Sequence, residues 1–203
     1  MTLRPDLKLI ADMVPRGARL LDVGCGDGAL LNHLAGDKDV DGRGIELSQA
    51  GVNNCVGRGL SVVQGDADTD LKDYPTGGFD YAVLSQTLQA TRQPHRVLED
   101  LLRIARHAIV SFPNFGHWRV RLHLLAQGTM PETQRLPEPW YQTANIHLCT
   151  IRDFVRLCEA SEIGIERALW VGPAGRPYSF SGQSRWANLL GEQAIFLLSR
   201  PAA

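Results

Sequence analysis

The stretch LLDVGCGDGALL, residues 20–31, constrains this chain more than any other. A short apolar run ends on Asp22 and Val23, glycines follow at 24, 26 and 28, and Leu30, Leu31 and Leu34 then recur at helical spacing. This pattern predicts a buried strand, a tight turn and a helix. Glycines let the backbone turn sharply and approach a ligand closely, and the helix that follows points its free amides at that ligand. The loop is therefore read as a nucleoside site, with Asp22, Gly24, Cys25, Gly26 and Gly28 as its candidate residues. Taken alone it does not say which nucleoside. Gly24, Gly26 and Ala29 also satisfy the dinucleotide pattern G-x-G-x-x-G/A, and Glu46 lies about as far downstream as the ribose-binding acid of such proteins, so a nicotinamide or flavin cofactor competes.

The same rhythm repeats along the chain. Leu3, Leu7, Ile10 and Val14 predict a first helix that ends at Pro15 and covers the sheet. GRGIEL reads as a strand, residues 49–57 as a short helix, and LSVVQ and FDYAVLS as two further strands. Pro94 opens a helix carrying Val97, Leu98, Leu101 and Leu102, and HAIVSF is the strand after it. Strands alternating with helices predict a mostly parallel α/β sheet with helices on both faces. From 114 to 145 the alternation fails, in a stretch mixing basic, aromatic and proline residues, which is read as an insertion over the carboxyl edge of the sheet. Thr150 can cap a helix bearing Ile151, Phe154, Val155 and Cys158, and two final strands, IGIERALWV and QAIFLLS, are read as an antiparallel pair. With no repeat and no internal boundary, the whole of 1–203 is expected to be one domain.

Composition excludes several classes. No uncharged apolar run approaches the ~18 residues of a membrane span. MTLRPDLKLIADMV is interrupted by Arg4, Asp6, Lys8 and Asp12, unlike a secretion signal, so a cytoplasmic location is expected. With 21 basic against 22 acidic residues there is no general positive field, so neither nucleic acid nor membrane is expected as a partner. The four cysteines have no C-x-x-C spacing, so no metal site is expected.

Three further features separate the cofactor readings: Asp22 two residues before the first glycine, the acidic GDAD after the third strand, and the antiparallel terminal pair. Together they resemble the class I S-adenosylmethionine-dependent methyltransferases over about residues 18–113 and 150–199. That resemblance implies a Rossmann-like, seven-stranded, mostly parallel sheet with the last strand antiparallel, and S-adenosylmethionine or S-adenosylhomocysteine as ligand. By the same resemblance Asp22 sits beside the methionine end, Gly24 and Gly26 admit the chain, and Glu46, followed by Leu47, accepts the two ribose hydroxyls. Asp66 and Ala67 face the adenine. The chemistry is consistent with these roles, because a carboxylate accepts two hydroxyl donors at once, and the ligand's ammonium and sulfonium favour acidic surroundings.

A closer resemblance lies in LSQTLQATRQP, SFPNFGHWRVRLHLLAQGTMP and PEPWYQTANIHLCTIRDF, which are similar to the methionine biosynthesis protein MetW family up to about residue 177. It implies an accessory role beside homoserine O-acyltransferase, without an established methyl acceptor.

No acceptor clamp of the Asn/Asp-Pro-Pro-Tyr type follows the fourth strand. Ser85, Gln86, Thr87 and Gln89 stand there, and Gln86 is read as a cofactor contact. His117, His123 and His147 are the available bases, His147 being the catalytic candidate because it precedes a helix that would end near the cofactor edge. A lone histidine is more often a surface or packing residue than a catalyst, so catalysis stays unassigned. Trp118, Trp140 and Tyr141 read as the lining of an acceptor pocket, as a partner interface, to which Arg119 and Arg121 would add, or as packing within the insertion. Two functions remain: a nucleoside-binding accessory subunit, which the missing acceptor clamp favours, and a methyltransferase acting on a small molecule.

Overall fold

The computed structural model describes residues 3–133 and 135–200. Helix α1 (Pro5–Met13) begins on Pro5, whose missing N–H and fixed φ suit a first helical position. Strand β1 (Arg19–Val23) leads through the glycine turn into α2 (Ala29–Lys38); β2 (Asp41–Glu46), α3 (Gln49–Val56) and β3 (Ser61–Gln64) follow. Next come β4 (Phe79–Ser85), α4 (Pro94–Ile104) and β5 (Ala105–Pro113).

The segment after β5 corrects the sequence reading. WRVRLHLLAQ forms helix α5 (Trp118–Gln127), capped by His117 and closed by Gly128 at φ 67°. Its pattern escaped because only Val120 is buried, whereas Trp118, Leu122 and Leu125 face solvent, the reverse of the apolar-inward stripe that marks a surface helix. Helix α6 (Ile151–Ala160) starts where expected. The Thr150 Oγ1 accepts from the Asp153 amide at 3.2 Å and the Asp153 carboxylate accepts from the Thr150 amide at 3.1 Å, a reciprocal cap worth about 1 kcal/mol.

Strand β6 (Gly164–Val171) and the last strand flank a Gly/Pro/Ser-rich segment that holds two short elements the sequence did not betray: β7 (Pro177–Ser179) and α7 (Arg185–Leu190), before β8 (Gln193–Ser199). Six residues are too few for periodicity to declare a helix; α7 is set by Ser184, whose hydroxyl accepts from the Ala187 amide. β7 makes the sheet eight-stranded rather than seven, as an edge strand begun by a proline, where a missing donor is harmless.

The order is β3-β2-β1-β4-β5-β8-β6-β7. Pairings from β3 to β5 are parallel; β8 runs antiparallel to both β5 and β6. Alternate residues of each strand feed two cores. Leu21, Val110 and Phe196 pack on the face that carries α4 and α6, and Leu20, Ile109 and Ile195 on the face that carries α1, α2 and α3. On the first face Phe112, Phe154 and Phe196 meet with ring centroids 4.6 to 5.9 Å apart, pairs that contribute about 0.5 to 1.5 kcal/mol each beyond burial. The strand order reverses between β1 and β4, and in open α/β sheets ligands lie outside the carboxyl ends at such a point.

Candidate functional site

The glycine turn is fixed to the end of β2 by its own backbone. The amides of Gly24 and Cys25 both donate to the Ile45 carbonyl, at 2.8 and 3.2 Å. One residue on, the Gly26 amide donates to Glu46 Oε2 at 2.8 Å and the Ser48 amide to Oε1 at 2.9 Å. The Glu46 carboxylate is thus oriented by two amides, with lone pairs remaining on both oxygens.

The three glycines do different things. Gly26, at φ +59°, faces open space: a β-carbon there would meet nothing within 4 Å. A side chain at Gly24 would collide with Thr87, and one at Gly28 with Leu60 and the Cys55 thiol, so these two serve close packing. Cys25 is also a packing residue by its side chain, lying under the loop against Gly44 and Cys55, and burial raises its thiol pKa strongly.

Asp22 is 2% exposed at the end of β1. Desolvation, then the neighbouring Glu46 charge, push its carboxyl up to about 7, while Arg4 pulls it the other way. A cation placed beside it would be strongly favoured.

The remaining sequence candidates surround this centre. Leu47 follows Glu46 with its side chain exposed and its carbonyl held by Gln64 at 3.2 Å. Asp66 opens a tight turn after β3, accepting from Asp68 through its carboxylate and from Thr69 and Asp70 through its carbonyl; Ala67, within it, packs against the core. Asp68 then ties this turn to the amides of Arg92 and Gln93. Gln86 adopts φ +58° just beyond β4, a conformation uncommon for a non-glycine residue. Its amide donates to the Ser111 carbonyl and its side chain reaches Asp6 at 3.3 Å.

Sequence reasoning missed Asp6, Arg4 and Gln193. Asp6 is fully buried, bound by Arg4 Nε and Nη2 at 3.2 and 2.8 Å, by Gln86 at 3.3 Å and by Gln193 at 3.4 Å. Burial would raise the Asp6 carboxyl, but the Arg4 guanidinium and the amide donors hold it below the usual carboxylate range. An acid in a first helical turn signals nothing but helix polarity, so no local pattern marks this cluster.

The histidines do not join it. His147 places Nε2 3.2 Å from the Arg92 carbonyl and lines a cavity of about 280 Å³ with Leu88, Gln89 and Phe154, and none of these contacts involves Asp22, Glu46 or the glycine turn. His117 is buried at the start of α5, its pKa lowered by desolvation, and lines a separate cavity of about 140 Å³ with Arg119, Arg135 and Glu192. His123 pairs with Thr129. Among the described residues no group of three or more His, Cys, Asp or Glu is placed to hold a metal ion, and no helix is long and apolar enough to cross a membrane. Trp140 and Tyr141 are 71% and 67% exposed, in edge-to-face contact. Arg119 lies 5.3 Å above the Trp118 ring, and Arg121 is tied to the Gly116 carbonyl.

The model of the family "Methionine biosynthesis protein MetW" matches residues 4–198. The bifunctional methionine biosynthesis protein MetXA/MetW of Rhodopirellula baltica is 33% identical over 162 residues, covering 75% of this chain and 26% of that protein. Ajmaline N-methyltransferase of Rauvolfia serpentina is 24% identical over 146 residues, covering 68% and 49% respectively, so this chain spans half or less of the length of either relative. Among solved structures, a possible histamine N-methyltransferase of Thermotoga maritima superposes with a TM-score of 0.70 at 15% identity, covering 97% of this chain and 88% of its own. With the strand order above, this likeness gives the fold as that of the class I methyltransferases. The chain belongs to the MetW family of methionine biosynthesis proteins.

Proposed function

We propose that this chain binds S-adenosylmethionine or S-adenosylhomocysteine at the carboxyl ends of β1 to β4, and acts as an accessory or regulatory partner of homoserine O-acyltransferase. The observation that carries the nucleoside part is the buried Asp22 carboxylate, set beside an amide-oriented Glu46 and the open space at Gly26. These residues fit the ligand. Asp22 would take the α-ammonium, Glu46 the ribose hydroxyls, and the turn at Asp66 and Ala67 would flank the adenine beside Leu47. Gly24, Cys25 and Gly28 shape the loop rather than touch the ligand through side chains, and Gln86 holds α1 over the site. When bound, S-adenosylmethionine supplies a methyl group on a cationic sulfur. Whether or not a methyl is passed on, binding couples to this chain through the charge at Asp22.

Two observations support the partner. The name of the Rhodopirellula protein joins MetXA to MetW in one bifunctional chain, and the motif resemblance implies homoserine O-acyltransferase beside MetW proteins. The segment after β5 exposes Trp118, Leu122, Leu125, Trp140 and Tyr141, large side chains of the kind that anchor interfaces. A second reading, a methyltransferase acting on a small molecule, is supported by the likeness to ajmaline N-methyltransferase over 68% of this chain.

The deciding experiment mixes the purified chain with homoserine O-acyltransferase and reads a pull-down and an acylation assay on the same preparations. Association with a changed acylation rate supports the accessory role. No association, together with methylation of a small acceptor, replaces it with the enzyme reading.

A further inference from the structure

We propose that the recess between the end of β5, the start of α5 and the loop around Leu136 is a second ligand site, which takes a short α-amino acid. The cavity measures about 140 Å³, about the space that holds benzene in an engineered protein cavity. His117 forms part of its wall and is itself only 6% exposed. The imidazole Nδ1 accepts from the Arg119 amide at 3.4 Å as the cap of α5, which places the ring proton on Nε2. That N–H has no hydrogen-bond partner among the described residues, on a ring that lines the cavity. Asn114, also in the wall, is fully engaged: its amide nitrogen donates to the carbonyls of Asn188 and Gly191, and its oxygen accepts from Gly116 and Ile151. It shapes the recess, and the imidazole N–H is left as the buried donor for an occupant.

Charges of both signs stand around this donor. Arg119 and Arg135 line the recess, and so does Glu192, the residue before β8. Arg135 Nε and Glu192 Oε2 lie 4.0 Å apart, too long for a hydrogen bond, although both side chains are largely withdrawn from water at 25% and 19% exposed. Two such charges, close but not closed on each other, keep hydrogen-bonding capacity that a further polar group can use. The combination selects the ligand. A plain anion such as phosphate would meet the guanidiniums and the imidazole donor, but also the Glu192 charge. A lone ammonium would meet Glu192, but also two cations. An α-amino acid brings a carboxylate for the donors and an ammonium for Glu192, so each charge gains a partner of opposite sign. Val120 and Leu136, both buried, supply apolar wall, and the volume limits the amino acid to a short side chain. None of the residues lining this recess belongs to the nucleoside site at the ends of β1 to β4.

The test is calorimetry of the purified chain with L-2-aminobutyrate and L-homoserine, against butyrate, which lacks the ammonium, propylamine, which lacks the carboxylate, and inorganic phosphate. At least one of the two amino acids is expected to bind, with the three controls at least about tenfold weaker. Glu192→Gln and Arg135→Gln are each expected to weaken it roughly 10 to 100-fold, and His117→Asn, which keeps a capping acceptor for α5 but loses Nε2, roughly tenfold. Should a single charge variant lose its cooperative melt, the double variant Arg135→Gln/Glu192→Gln, which removes both charges, carries the same comparison. Saturating S-adenosylhomocysteine is expected not to displace the amino acid. Displacement by it, or loss of amino-acid binding in Asp22→Asn, places the amino acid in the nucleoside site and overturns the proposal. So do butyrate or phosphate binding as tightly as the amino acids, unchanged affinity in the charge variants, or no binding of either amino acid. A chain that binds the amino acid but not S-adenosylhomocysteine keeps this site and loses the nucleoside reading instead.

Discussion

Replacing Asp22 with asparagine tests the electrostatics of the site without any ligand. A carboxyl moved from 3.8 in the unfolded chain to about 7 in the folded one binds its proton more tightly when folded. Over that window the native state therefore holds more protons than the unfolded state, and stability falls as pH rises from about 4 to about 7, then levels off. At about 1.4 kcal/mol per unit the shift amounts to about 4 kcal/mol, an order-of-magnitude upper figure. Asparagine has nearly the same shape and does not ionise. Near pH 4 the variant and wild type should be about equally stable; at pH 8 Asp22→Asn should be the more stable by up to about 4 kcal/mol, roughly 10 °C in melting temperature for a chain of this size. Urea denaturation of both proteins across pH 4 to 8 measures this, and the difference between them cancels the other titrating groups. The same substitution should abolish tight binding of S-adenosylhomocysteine, so a gain in stability accompanies a loss of function, as expected where a site stores an unfavourable charge. Parallel pH profiles for the two proteins, or a less stable variant at pH 8, would refute the argument that Asp22 is a carboxylate held at a cost.

Other substitutions probe the site and the partner surface. Glu46→Ala should weaken S-adenosylhomocysteine roughly 10 to 150-fold by calorimetry, because a charge-assisted contact is lost and the amides of Gly26 and Ser48 lose their acceptor. Gly26→Val should remove binding yet leave a folded chain by circular dichroism, since its side chain would enter open space and the strain at φ +59° is local; loss of the fold would mean the glycine serves packing. Trp140→Ala should weaken the complex with homoserine O-acyltransferase in a pull-down and leave nucleoside affinity unchanged; equal loss of both would place Trp140 in the nucleoside site instead.

Much of the fold was legible because its elements are locally consistent. The runs ARLLDV and HAIVSF are too apolar and too short to be anything but buried strands, and the stripes on α4 and α6 follow the helical period, with Pro94 as the first residue of α4 and Thr150 capping α6. The elements that escaped lack such agreement. α5 turns its large apolar residues outward, and β7 and α7 are three and six residues long in a segment whose composition reads as loop.

The sequence by itself determined the alternation of strands and helices from α1 to β5, the glycine turn, and the presence of acids at 22, 46 and 66, since each is written in residues adjacent along the chain. Tertiary structure alone decided what those residues experience. Burial is set by neighbours that arrive from far along the chain: Asp6 meets Gln86 across 80 residues and Gln193 across 187, and Asp22 acquires its raised proton affinity only when β1 is enclosed and Glu46 is brought alongside. A carboxylate's charge costs little in water and much in a low-dielectric interior, so the same side chain is a solvated acid in the unfolded chain and a buried group of raised proton affinity in the folded one.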